Sequence, residues 1–314
     1  MGAVYVFDDY YLAITLLITV CYQLFFFSIA FSLKFDKLTD FAGGTNFALL
    51  AILTLLFSGK HHTRQTVVSI FMILWALRLS MFLLFRIIKT GKDDRFDDKR
   101  DKFFPFLGFW IFQMLWVWIV SLPVTVLNSP GISQFPQPIF GTGRDIAGVI
   151  LFIVGFSLES ISDALKYRFR SKRSDRSAFL KNGIFSWSRH PNYFGEILLQ
   201  FSIFMIAISP AASHHLKGQA FSVLYATVLG PIFLTILLMF VSGLTLAERP
   251  AARRRYEEDQ NWEEYAHYLN RTSILIPFPP SLYAKLPVLL KRTLFLEFPI
   301  YVFDPEKHSN QGLS

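Results

Sequence analysis

Seven stretches of this chain are apolar for long enough to cross a lipid bilayer, or nearly so. A hydrocarbon core of about 30 Å takes about 20 consecutive apolar residues in a helix. The stretches are Tyr11–Leu33, Phe41–Phe57, Thr66–Ile88, Pro105–Leu127, Arg144–Leu158, Ile197–Pro210 and Phe221–Leu244. The fifth and sixth are short and draw on polar flanks, so the count lies between six and eight. The expected fold class is therefore all-α: a polytopic membrane helix bundle of about seven transmembrane helices. Composition agrees, because 53% of the residues are apolar and 35 are Phe, which is too greasy for an ordinary soluble domain. No cleavable signal peptide is expected. The first run is too long for such a segment and follows Asp8 and Asp9 rather than basic residues.

The net charge of +8 is distributed unevenly. With seven spans, successive loops alternate sides. One side carries Lys34, Lys37, Lys89, Lys92, Arg95, Lys99, Arg100 and Lys102, the stretch Lys166 to Arg189, and the tail from Arg249. The other carries only Lys60, Arg64, Arg144 and Lys217. The positive-inside rule makes the rich side cytosolic, with a cytosolic C-terminus. The basic balance thus calls for a lipid bilayer as partner and for no nucleic acid. For a eukaryotic source the expected location is the endoplasmic reticulum membrane.

The lone cysteine, Cys21, lies in the first span and cannot form a disulfide or a thiolate metal site within the chain. The pairs His61–His62 and His214–His215 lack the i, i+4 spacing of a helical zinc site, so no metal is expected.

The Pro- and Gly-rich stretch NSPGISQFPQPIFGTG, Asn128–Gly143, breaks the chain between the fourth and fifth spans. The expected organisation is a four-span half over 1–127, this loop over 128–143, a C-terminal domain over 144–280, and a tail over 281–314. Ala247–Asn270 is charged and reads as helix, and IPFPP at Ile276–Pro280 ends it. Leu282–Val302 alternates apolar and basic residues and reads as partly membrane-surface.

Charges near the bilayer carry the functional signal, since each costs about 2.5–3.5 kcal/mol at a helix centre on insertion scales. Arg78 lies mid-span in the third run, with Arg86 eight residues on, near the same face. Glu159 and Asp163 share a face at the end of the fifth run. The densest group is SRHPNYFGE, Ser188–Glu196, directly ahead of the sixth run. Pro191 suits the first turn of a helix, with Ser188 or His190 as cap. The positive end of that helix favours an anion. Asn192 and Glu196, at i and i+4, with Tyr193 one position round, offer an amide, a carboxylate and a phenol together. The amide and carboxylate suit ribose hydroxyls or a nucleobase amide, and Arg189 and His190 suit phosphate. Lys166, Arg168, Arg170, Lys172, Arg173 and Arg176 read as a dense basic loop upstream.

SRHPNYFGE, the preceding KNGIF, the upstream SDALKYRFR and the later TSILIPF resemble the C-terminal domain of steroid 5-alpha-reductases. WALRLSMFLLFRIIKTGKDDRFD is similar to the third-span signature of a broad group of membrane proteins classed with them. The likeness covers about residues 35–280. Isoprenylcysteine carboxyl methyltransferases and phospholipid methyltransferases carry a similar RHPxYxGE and bind S-adenosylmethionine there. The resemblance implies NADPH in a cytosol-facing cavity. By it, Asp163 and Arg170 match the acidic and basic residues of the helix-to-loop motif. Asn192 and Glu196 match the cofactor-holding amide and carboxylate, with Tyr193, Arg189 and His190 in the same pattern. Two departures stand out. Glu248 or Arg249 occupies the place of a His after the last span. The second span lacks the Glu that polarises a steroid carbonyl, which leaves Asp40, Asn46, Arg78 and Glu159 as weak catalytic candidates.

Three functions follow, in this order. The first is an NADPH-dependent reductase of a lipophilic steroid-, sterol- or fatty enone-like substrate. The second is an S-adenosylmethionine-dependent methyltransferase of a lipid or prenylcysteine-type substrate. The third is a membrane protein with no catalytic role.

Overall fold

A computed structural model describes residues 4–35, 37–90, 101–173, 175 and 177–306. Lys92, Arg95, Lys99, Arg100 and Arg176 of the charge inventory lie outside the described residues, as does the end of the third-span signature. The described residues are helical, with no strand. The helices are α1 (Leu12–Ser32), α2 (Leu38–Phe57), α3 (Thr63–Thr90), α4 (Phe103–Val120), α5 (Leu122–Asn128), α6 (Pro130–Ser133), α7 (Gly143–Lys172) and α8 (Pro191–Ala207). They continue as α9 (Ser209–Ala212), α10 (Gly218–Ala226), α11 (Leu229–Ile236), α12 (Leu244–Glu257), α13 (Trp262–Arg271), α14 (Pro280–Tyr283) and α15 (Val288–Thr293).

Among the described residues, six segments are long and apolar enough to cross a membrane: α1, α2, α3, α4, α7 and the stretch Gly218–Glu257. The remaining expected span, the sixth run, is α8, which at 17 residues falls just short of that length. The protein is an integral multi-pass membrane protein. Several boundaries differ from the sequence reading. The fourth run ends in α4, and Leu122–Asn128 turns off as α5 with Pro123 in its first turn. The fifth, expected short, is the thirty-residue α7. The basic stretch expected as a loop is therefore helical through Lys172, since straight-chain Lys and Arg lose little side-chain freedom in a helix. The seventh run is not one helix. A π turn over Leu237–Val241 interrupts it, and α12 carries the chain on into charged sequence.

The chain forms two compact units: Met1–Phe152 with Gln200–Leu234, and Ile153–Leu199 with Thr235–Ser314. In the first unit, Phe27, Ala30, Ala42, Phe106 and Trp110 form an apolar cluster. A chain of amides runs beside it. Gln113 Nε2 donates to Gln23 Oε1 (2.9 Å) and to Thr39 O (3.0 Å), and Gln23 Nε2 donates to Asn46 Oδ1 (3.0 Å). Lipid cannot satisfy such groups, so they pair across helices. Arg64 and Asp145 form a fully buried ion pair in the same unit, Nη2 to Oδ2 2.8 Å. Asp145 also accepts from Ser209 Oγ, the N–H groups of Gly141 and Thr142, and Thr142 Oγ1, all at 2.9–3.0 Å. Thr142 Oγ1 in turn accepts from Asp145 N at 3.3 Å, a reciprocal cap at the start of α7.

In the second unit α7 and α8 cross at Gly155 and Gly195. A Cβ on Gly195 would lie 2.6 Å from Gly155 O and 2.8 Å from Glu159 N. Only a small residue lets the two backbones approach so closely. Gly195→Ala is expected to force the helices apart and to lower stability by about 1–3 kcal/mol. Thermal unfolding in detergent checks this, and an unchanged midpoint contradicts it. The tail belongs to this unit. Tyr283, Phe295 and Tyr301 are buried, while Leu282, Val288, Leu289 and Leu294 are exposed on its outer side.

Candidate functional site

Two of the motifs meet in the second unit through backbone hydrogen bonds. Arg189 N donates to Ser273 O (2.8 Å), Phe278 N to Trp187 O (3.0 Å), and Ser188 Oγ to Leu275 O (2.7 Å). SRHPNYFGE is thereby zipped to TSILIPF. The Ser188 hydroxyl, expected as a cap of α8, is used in this join. Pro191 opens α8 as expected.

This join sets Arg189 and His190 at the centre of a buried ionic network. Arg189 Nη1 lies 2.5 Å from Glu248 Oε2, and Nη2 donates to Glu297 Oε1. Tyr283 Oη donates to Glu297 Oε2 at 2.7 Å. The other oxygen of Glu248 lies 2.6 Å from His190 Nε2. An ionised carboxylate only accepts, so Nε2 carries the proton and Nδ1 is left bare. Nδ1 is buried and has no hydrogen-bond partner among the described residues. The imidazole stacks on Tyr193, centroids 5.1 Å apart at 9°. Lys166 completes the group. Its Nζ donates to Asn192 Oδ1 (2.7 Å) and lies 5.5 Å and 5.6 Å from the ring centroids of Tyr193 and Phe185. Asp163 and Arg170 act on the Lys166 charge from neighbouring turns of α7, and Glu196 is buried on α8.

Burial governs the titration of this cluster. It pushes His190 below its ordinary value of 6.5, against the pull of Glu248. The imidazole is therefore neutral near pH 7. Burial also works against the charge of Arg189, but Glu248 and Glu297 outweigh it and the guanidinium is held more firmly than usual. Burial raises Tyr265 to about 12. Burial first and Glu297 second raise Tyr283 further, so its hydroxyl remains a donor.

All seven cofactor candidates, Asp163, Arg170, Arg189, His190, Asn192, Tyr193 and Glu196, belong to this unit, and so does Glu159, buried on α7. The other three catalytic candidates belong to the first unit. There Asp40 pairs with Arg86 (4.0 Å), Asn46 sits in the amide chain, and Arg78 lies over the Phe82 ring (5.6 Å). Sequence reasoning missed the roles of Glu248, Glu297, Tyr283 and Lys166. Glu248 had a signal, as one of the two residues, with Arg249, that stand where the resemblance implies a His. It takes up the imidazole that the motif supplies from the other side.

Residues 26–272 match the family described as Protein of unknown function (DUF1295). The chain belongs to the DUF1295 family. That family is part of the steroid 5-alpha-reductase-like superfamily. Neither the curated proteins nor the solved structures searched give a match to the chain. The DUF1295 match takes in SRHPNYFGE and Glu248 but ends at Thr272, the first residue of the segment that zips to the motif. Tyr283 and Glu297 lie beyond it. In this DUF1295 protein a segment outside the family match thus supplies half of the anionic partners of Arg189.

Proposed function

We propose that this DUF1295 protein is a membrane-embedded NADPH-dependent reductase of a lipophilic, steroid-, sterol- or fatty enone-like substrate, with its C-terminus in the cytosol. The observation that carries this is the buried cluster at the start of α8. An oriented imidazole presents an unsatisfied nitrogen there, beside a lysine, an amide and two carboxylates, in a chain of this superfamily. A buried polar atom without a partner is costly, and a ligand that donates to it removes the cost. The donor set suits a nucleotide. Lys166 and Arg170 are cations for phosphate, Asn192 and Glu196 suit ribose or amide groups, and His190 Nδ1 accepts one hydrogen bond. When bound, NADPH supplies a hydride for the carbon beta to a carbonyl. The chain's part is to hold it. Glu248 fixes the imidazole tautomer, and Arg189 holds Glu248 in place.

A second reading has its own observation. Arg189 is answered by two carboxylates, Glu248 and Glu297, and His190 is neutral. Carboxylates so placed suit the sulfonium of S-adenosylmethionine, hence a methyltransferase of a lipid or prenylcysteine-type substrate.

Asn192→Ala and Glu196→Gln are expected to weaken NADPH binding while the protein stays folded. Each removes a group able to make a charge-assisted bond, worth about 1.5–3 kcal/mol, so affinity falls about tenfold or more per change. Titration of NADPH against the purified variants reads this. A folded double variant with wild-type affinity overturns the site assignment.

A further inference from the structure

The helical form of the basic stretch separates its charges onto two faces. Asp163, Lys166 and Arg170, at i−3, i and i+4, share the face of α7 that carries the Lys166–Asn192 contact. Leu165, Arg168, Phe169 and Lys172 lie on another face. They line a groove of about 370 Å³ with Arg173, Asp175, Ala178 and Leu180. Its floor is apolar: Leu165, Phe169 and Leu180. Its rim holds three cations, Arg168, Lys172 and Arg173, all exposed.

The one acid in the groove, Asp175, is already engaged. It accepts from Ser177 N (2.7 Å) and Ser177 Oγ (2.6 Å). The far wall is fixed. Arg255 donates to Ser177 O (2.7 Å) and Ala178 O (3.2 Å), and its guanidinium lies against the rings of Phe179 (5.1 Å) and Tyr265 (4.7 Å). The groove also lies at a particular depth. Thirty residues of helix reach about 45 Å at about 1.5 Å each, against a hydrocarbon core of about 30 Å. About ten residues of α7 therefore project beyond the core. The end from Asp163 onward carries Asp163, Lys166, Arg168, Arg170 and Lys172, charges that are costly in hydrocarbon, so it is the end that projects. An apolar floor with a cationic rim at headgroup level matches a molecule with an acyl chain and an anionic head.

We propose that this groove is a binding site for an anionic membrane phospholipid, its phosphate on Arg168, Lys172 and Arg173 and its acyl chain along Leu165, Phe169 and Leu180. The site is separate from the cluster around His190 and does not depend on which cofactor that cluster takes.

The test uses the full chain in detergent, with thermal unfolding read during titration of dioctanoyl phosphatidylglycerol, dioctanoyl phosphatidylcholine and glycerol phosphate. The expected result is stabilisation by phosphatidylglycerol alone. A juxtamembrane cation contributes about 1 kcal/mol toward an anionic surface, so Arg168→Gln with Lys172→Gln is expected to weaken phosphatidylglycerol about 30-fold. Lys166→Gln with Arg170→Gln is expected to leave it unchanged. Arg168 and Lys172 are exposed, so the variant at these two positions folds, and Arg168→Lys with Lys172→Arg keeps the charge and the effect. Equal stabilisation by both lipids overturns the proposal. So does binding of glycerol phosphate as tight as that of the lipid, which makes the groove a free-phosphate site. A loss of basal stability in the Arg168/Lys172 variant with lipid affinity unchanged assigns these residues to the helix end alone and also overturns it.

Discussion

Asp145→Leu is expected to cost about 3–5 kcal/mol of stability, the usual penalty for removing one partner of a buried ion pair. The size follows from what is left behind. Arg64 is 1% exposed and would keep only Pro138 O (3.1 Å) and Gln137 Oε1 (3.4 Å) as acceptors. A guanidinium in that state is a buried, uncompensated charge. Loss of Asp145 also removes the reciprocal cap of α7 and the acceptor for Ser209 Oγ. Arg64→Met is expected to cost less, because the carboxylate would keep its bonds to Ser209, Gly141 and Thr142. The double change should cost clearly less than the sum of the two, since no lone charge then remains. Thermal unfolding of the four proteins in one detergent gives the cycle. Additive costs contradict the pairing.

Glu248→Ala is expected to have an effect of similar size, again about 3–5 kcal/mol, and to abolish cofactor binding with it. Glu248 answers two residues at once. Its removal leaves Arg189 with Glu297 alone and leaves both ring nitrogens of His190 buried without a protein partner. The tautomer is then no longer fixed, so Nδ1 is no longer obliged to be the acceptor. Glu248→Gln keeps the shape and one hydrogen bond but not the charge, and falls between wild type and Glu248→Ala. The pH dependence carries the same signature. The value of His190 is depressed in the folded protein, so its contribution is present above 6.5 and lost as the pH falls through the depressed value. A His190→Asn variant is expected to lack that step. Full nucleotide affinity in a folded Glu248→Ala protein contradicts the role given to the network.

The sequence showed the helical membrane class and the place of the cluster for physical reasons. Runs of twenty apolar residues have one common solution in lipid, and Pro191 marked the start of α8. It did not show where α7 ends. Lys and Arg are good helix formers, so a run that looks like a solvated loop continues the helix through Lys172 and divides its charges between two faces. It did not show that Glu297 reaches Arg189, with Tyr283 bonded to Glu297 behind it, because the tail has no local pattern that foretells a contact 108 residues away. Glu248 was visible only as a departure from a family pattern, and its meaning depended on the pairing of Ser188 with the Ser273 segment. The second apolar run, Phe41–Phe57, holds no carboxylate; Asp40, in the first turn of α2, pairs with Arg86, and the buried amides Gln23, Asn46 and Gln113 stand in that region of the first unit.

The most direct measurement is cofactor-dependent thermal stabilisation of the detergent-purified protein, with NADPH and S-adenosylmethionine side by side. A ligand at 100 times its dissociation constant adds about 2.7 kcal/mol to the folded state, which is readable as a shift of several degrees. The reductase reading predicts stabilisation by NADPH, none by S-adenosylmethionine, and a clearly smaller NADPH shift in Glu196→Gln. Stabilisation by S-adenosylmethionine with none by NADPH, or by neither, would contradict it.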